Sequence, residues 1–93
     1  MPILSFKCSD TKALHQRQRV TRFVNVESVA RRKLSQLDAA TELRDLRSPP
    51  GNRLEALVRN RSGQHSIRVN DQWRVCFVWT PLGPKDVEIV DYH

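Results

Sequence analysis

The chain is poor in cysteine, glycine and aromatic residues, and it has no long apolar run. Its two cysteines, Cys8 and Cys76, stand in no CxxC or Cys/His spacing, which argues against a zinc site. Both lie in apolar, strand-like surroundings that suit buried free thiols in a reducing compartment. Gly63 and Gly83 are isolated and supply no phosphate-binding loop, and no GxSxG, HExxH or DxDxDG pattern occurs. No stretch approaches the roughly 18 apolar residues of a membrane span, and the start MPILSFKCSD lacks the basic-then-apolar design of a secretion signal. A cytosolic chain without membrane contact is expected. No internal repeat or low-complexity segment is present.

What is present is positive charge. The 93 residues carry a formal charge of +6, with a pI near 10.2, which favours a polyanionic partner: nucleic acid first, an acidic protein second, with simple solubility charge as the plain reading. The length fits one small domain, residues 1–93, able to bury about 60 to 65 % of the surface its unfolded chain exposes.

The most informative stretch is GQHSIRVNDQWRVCFVW, Gly63 to Trp79. Ile67 and Val69 on one arm, and Trp73, Val75, Phe77 and Trp79 on the other, alternate with polar residues as in a half-buried hairpin, with its turn at Asn70-Asp71. The tightest register that keeps both odd faces in one core sets Arg68 opposite Arg74 at a backbone separation of roughly 5.5 Å. That pairing is unfavourable by itself, by about 3 kcal/mol at an effective dielectric near 20. A phosphate, or a carboxylate from elsewhere in the chain, would turn it into a site, and Glu55, Asp86, Glu88 and Asp91 are available for such pairs.

Elsewhere the pattern predicts a short edge strand over Ile3–Cys8, then a helix from Thr11 capped by Ser9 or Asp10, with Ala13 and Leu14 inward and Lys12, Arg17 and Arg19 outward. Asn25 is a second cap candidate, ahead of a helix whose stripe is Val26, Ala30, Leu34 and Leu37, widened by Val29. Arg31, Arg32 and Lys33 are expected on its other side, as a solvated face or an RNA contact. Asp38 to Thr41 break this helix or carry it on to Leu46, and Ser48-Pro49-Pro50-Gly51-Asn52 stops it. RLEALVR (Arg53–Arg59) reads as a strand or a helical turn, and Asp86–Val90 as a last strand with Val87 and Ile89 inward. Trp73 and Trp79 read as core rather than base-stacking platforms, and His15 and His65 as surface residues.

The chain closes on Asp91-Tyr92-His93, a concentration of acid–base groups in which only the imidazole titrates near neutrality when free. The plain reading is a packed tyrosine and a fraying histidine.

PPGNRLEAL (Pro49–Leu57), the Gly63–Trp79 hairpin and the closing DVEIVDYH (Asp86–His93) resemble the HigB branch of the RelE superfamily of bacterial toxins. The resemblance covers the second half of the chain with specific wording and the first half only in outline. It implies an α+β fold, an N-terminal strand and two to three helices packed on an antiparallel sheet of about four to five strands. It also implies a toxin that cuts messenger RNA in the ribosomal A site and is neutralised by a HigA-like helix-turn-helix antitoxin. Operator DNA is reached only through that antitoxin. No cofactor or metal is implied.

The family's sheet arginine falls on Arg74 and its terminal acid–base cluster on Asp91, Tyr92 and His93. Glu55 stands where some HigB proteins place a histidine, as a general base or as an arginine's partner. Val58-Arg59-Asn60 departs from the family's wording, which moves a phosphate contact from Val58 to Arg59 or Arg61. Arg68, with Arg31, Arg32 and Lys33, completes the expected RNA-binding set. The alternative is a non-catalytic module that docks on the ribosome or serves as the antitoxin's co-repressor, and the presence of Arg74 together with Asp91-Tyr92-His93 favours the enzyme.

Overall fold

The computed structural model describes residues 2–91. Among these, two α-helices, α1 (Ser9–His15) and α2 (Glu27–Ala39), precede a four-stranded sheet of β1 (Glu55–Ala56), β2 (His65–Arg68), β3 (Trp73–Thr80) and β4 (Gly83–Asp91). The strands are ordered β1-β2-β3-β4 and every neighbouring pair is antiparallel. The class is α+β.

The hairpin has the expected register, with Arg68 opposite Arg74, Ile67 opposite Val75 and Ser66 opposite Cys76. Asn70 fixes its turn because its side-chain oxygen accepts the backbone N–H groups of Gln72 (2.9 Å) and Trp73 (2.8 Å). The odd residues Ile67, Val69, Val75 and Phe77 are buried. They join Val87 and Ile89 of β4 and Leu14, Phe23, Ala30, Leu34 and Leu37 of the helical half in one apolar cluster. Each fully buried Leu, Ile or Phe side chain contributes about 1.5 to 3 kcal/mol through burial. Trp73 and Trp79 are half-buried at its margin, and Phe23 meets the Trp73 ring edge-on at 5.3 Å.

The predicted N-terminal strand is not formed. Residues 3–7 run along the outer edge of β4 with a single parallel bridge, Phe6 to Val87. Leu4 donates to the Pro84 carbonyl, Val87 to that of Ser5, and Lys7 to that of Val87. A regular ladder cannot continue there. Pro84 has no N–H to give, the Asp86 N–H is taken by Ser5 Oγ at 2.9 Å, and Asp86 sits at φ 52 beside a register shift between Cys76 and Val78.

Both predicted caps are displaced. Cys8 precedes α1 without a side-chain cap bond, and the chain enters α2 from a 3₁₀ turn over Thr21–Val26 rather than from Asn25. Thr11 turns inward instead and accepts the Ile89 N–H through Oγ1 at 3.0 Å, tying α1 to β4. The α2 stripe is buried as expected, and the helix ends at Ala39. A separate 3₁₀ turn follows over Leu43–Arg47, opened by a reciprocal Glu42/Asp45 capping box. The backbone N–H of Glu42 and the N–H and hydroxyl of Thr41 hold the Asp45 carboxyl below its ordinary range.

The expected outer basic face of α2 is corrected at Lys33, which is only 9 % exposed. Its Nζ donates to Asn52 Oδ1 at 2.5 Å. Asn52 Nδ2 donates in turn to Gln36 Oε1 (3.1 Å), the Leu46 carbonyl (3.1 Å) and the Ser48 carbonyl (3.3 Å). Burial, followed by the charges of Arg32 and Arg68, pushes the Lys33 ammonium below the ordinary lysine range. The proline-rich stop is thus clamped to α2 through a buried amide. Asn52→Ala leaves an ammonium and the Leu46 carbonyl without their partner, so a loss of about 2 to 4 kcal/mol is expected. Chemical denaturation, read as a lower midpoint at unchanged slope, measures it.

Candidate active site

The helices cover the odd face of the sheet, and the even face carries the polar residues. Cross-strand pairing aligns Glu55, Ser66, Cys76 and Glu88 in one row, with Arg68, Arg74 and Val90 in the next. Arg74 lies between charged and neutral partners. Its Nε donates to Ser66 Oγ at 2.8 Å, its Nη2 donates to the Arg53 carbonyl at 2.8 Å, and Glu55 Oε1 stands 3.5 Å from Nη2. The Arg74 side chain is 11 % exposed whereas Glu55 is 49 % exposed. The guanidinium is therefore fixed by neutral acceptors from two segments, and its carboxylate partner is free to swing into water.

The Arg53 carbonyl is available because Arg53 adopts a left-handed φ of 47° after the 3₁₀ turn Pro50–Asn52. The sequence shows the turn but not where its carbonyl points. The juxtaposition of Arg68 and Arg74 is resolved by separate carboxylates: Arg68 pairs with Asp71 in the hairpin turn and Arg74 with Glu55 on the neighbouring strand.

Beside this centre, Arg61 Nη1 donates to Glu88 Oε1 at 3.0 Å and to Gln64 Oε1 at 3.2 Å, and Lys7 Nζ lies 3.9 Å from the same Glu88 oxygen. Arg59 is exposed at φ 61 in the 3₁₀ turn Arg59–Arg61. Cys76 lies beneath these charges, fully buried and not disulfide-bonded. Burial pushes its thiol above the ordinary value, against the opposing charge of Arg61. This is an unreactive thiol by environment.

Other expected site residues lie apart. Asp91 is opposite Trp73 in the β3–β4 register and accepts Gln72 Nε2 at 3.0 Å. Strand alternation puts it on the Trp73 face and not on the Arg74 face. Tyr92 and His93 lie outside the described residues. Arg31 is occupied within the helical layer, bonding the carbonyls of Leu14 and Gln18 and pairing with Glu27. Arg32 is exposed on the side of α2 away from the sheet. His65 is half-buried and stacked on Phe77 at 6.2 Å, and its Nδ1 has no hydrogen-bond partner among the described residues. Among the described residues no group of His, Cys, Asp and Glu is arranged to hold a metal ion, and no helix is long and apolar enough to cross a membrane.

A protein-family model described as the RelE-like toxin of the type II toxin–antitoxin system HigB matches residues 6–93. The chain belongs to this family. It is 53 % identical over 55 residues to Toxin HigB-1 of Vibrio cholerae, a match covering 59 % of this chain and 58 % of that protein. An uncharacterized protein of Haemophilus influenzae is 43 % identical over 53 residues, covering 57 % of this chain and 52 % of the relative. The chain thus spans little more than half the length of the relatives it matches.

Proposed function

We propose that this toxin is a ribosome-dependent messenger RNA endoribonuclease, acting in the cytoplasm and neutralised by a HigA-like helix-turn-helix antitoxin through which the pair reaches operator DNA. The observation that carries the reading is Arg74, held on the helix-free sheet face by Ser66 Oγ and the Arg53 carbonyl with a displaceable Glu55 at its edge. A message phosphate competes with Glu55 for the guanidinium. The ribose 2′-oxygen then bonds to phosphorus as the bond to the 5′-oxygen breaks, leaving a 2′,3′-cyclic phosphate and a 5′-hydroxyl. Arg74 stabilises the charge that gathers on the non-bridging oxygens. Because its own position is fixed before substrate arrives, little reorganisation opposes that step.

One proton must leave the 2′-hydroxyl and one must reach the 5′-oxygen. Glu55, once released from Arg74, is the candidate acceptor on the described surface, and His93 or Tyr92 is proposed for the other transfer. Arg59, Arg61 and Arg68 border the site as phosphate contacts, and Arg32 serves at a remote surface. The test is cleavage of a defined message by the purified chain with and without ribosomes. Cuts that appear only with ribosomes support this function, and no cutting in either case supports the non-catalytic binding module instead.

A further inference from the structure

The two edges of the sheet are treated differently. Residues 3–7 cover the outer edge of β4 through backbone bonds to Pro84 and Val87, whereas β1 ends the sheet on the other side. Leu57 donates to the Gln64 carbonyl at 2.9 Å and Glu55 pairs with Ser66. By the alternation of an antiparallel ladder, the N–H and C=O of the intervening Ala56 point away from β2. Ala56 is exposed. An edge of this kind is a template for an added strand.

That edge opens on a cavity of about 410 Å³, closed on its far side by the 3₁₀ turn Leu43–Arg47. Leu43 and Leu54 supply half-buried apolar surface, and Arg44 and Arg47 supply charge. Arg44 Nε contacts Glu42 at 2.8 Å with both side chains more than half exposed, a pair of little net strength. Arg47 makes no ion pair among the described residues. Glu55 also lines the cavity, but it already faces Arg74. Outward backbone groups, an apolar floor and a cationic rim together describe an extended peptide with carboxylates. The outward donor and acceptor of Ala56 match those of an added peptide strand.

We propose that the β1 edge and this cavity dock an extended acidic segment of the antitoxin. The segment adds as a strand beside Ala56, seats an apolar side chain against Leu43 and Leu54, and sets carboxylates on Arg44 and Arg47. Glu55 is both a wall of the cavity and the partner of Arg74, so the docked segment stands at the entrance to the Arg74 site. Neutralisation then follows from occupying the approach of the message without any contact to Arg74. This inference rests on the toxin–antitoxin reading above.

The test uses the full chain and its purified cognate antitoxin, with amide exchange and titration calorimetry. Binding is expected to slow exchange of the Ala56 amide at least about tenfold. The Arg44→Glu/Arg47→Glu double variant is expected to weaken antitoxin binding about tenfold or more. Ala56→Pro is expected to weaken it similarly while keeping the ladder, since only an outward N–H is removed. Ribosome-dependent cleavage by the free variants should equal that of the unmodified chain. Unchanged affinity for both variants, with an Ala56 amide that exchanges equally fast in the complex, overturns the proposal. Lost cleavage with unchanged antitoxin affinity overturns it by making the cavity an RNA subsite. Ala56 protection in the isolated chain that disappears on dilution overturns it by placing a second copy there. Cleavage by the free chain is read separately, so failure of the docking and failure of the nuclease reading are distinguishable.

Discussion

Arg74→Ala is expected to lower the rate of message cleavage on the ribosome by roughly 100- to 1,000-fold, the usual loss when a preorganised donor to a developing oxyanion is removed. Growth arrest should vanish with it. The size follows from how the side chain is held: both described neutral acceptors belong to the protein, and at 11 % exposure little water competes for the guanidinium. Truncation also leaves the buried Ser66 hydroxyl without that donor, so some stability is lost, by about 1 to 2 kcal/mol. The variant must therefore be compared at matched folded concentration, with circular dichroism and a denaturation curve alongside the kinetics. Arg74→Lys adds discrimination. It keeps the charge but not the planar fork that reaches Ser66 and Arg53 together. A rate much nearer to Arg74→Ala than to the unmodified chain is the expected outcome, and full toxicity in either folded variant contradicts the assigned role.

Deletion of Tyr92 and His93 should lower cleavage by roughly 100- to 10,000-fold, the range for losing a general acid or base. The described even face offers Glu55 for one proton transfer; its other carboxylate, Glu88, is engaged by Arg61 and Lys7, and Asp91 shares its face with Trp73. The terminal pair is the remaining source in the sequence. An imidazole gains or loses its proton near neutrality, so a histidine in this role gives the intact toxin a rate that changes with pH across the neutral range. The truncated form should lose that dependence along with the rate. Undiminished cleavage after truncation assigns both proton transfers to other groups. His93→Gln with Tyr92 retained, and Tyr92→Phe with His93 retained, separate the two side chains through the same profile.

Much of the sheet was legible because the signals were local. Alternation from Ile67 to Trp79 and the Asn70-Asp71 turn fix the β2–β3 register, and that register alone sets Arg74 on the polar face opposite Arg68. The α2 stripe is equally local. The features that escaped depend on distant partners. Ile3–Cys8 alternates well enough for a strand, yet its neighbour on β4 offers a proline and a left-handed Asp86 where a ladder needs regular donors. Lys33 sits beside Arg31 and Arg32 in sequence, and only the return of Asn52, 19 residues later, draws it inward.

The site divides in the same way. Arg74 and Glu55 were readable as a candidate pair and are brought together. The Arg53 carbonyl that orients Arg74 depends on a backbone φ at the exit from Pro50–Asn52. Composition gave no sign of it. Ser66 was placed on the correct face by alternation, but its burial beneath Arg74 required the cross-strand geometry. Glu88 was one of several carboxylates able to meet an arginine, and the loop after β1 selects it for Arg61.

The most direct measurement is cleavage-site mapping on one message, with purified toxin, in parallel reactions with programmed ribosomes, without ribosomes, and with ribosomes plus the Arg74→Ala protein. Discrete cuts within translated codons, bearing 2′,3′-cyclic phosphate ends, are expected in the first reaction alone. Equal cutting of free message, or equal cutting by the Arg74→Ala protein, would contradict the proposed function.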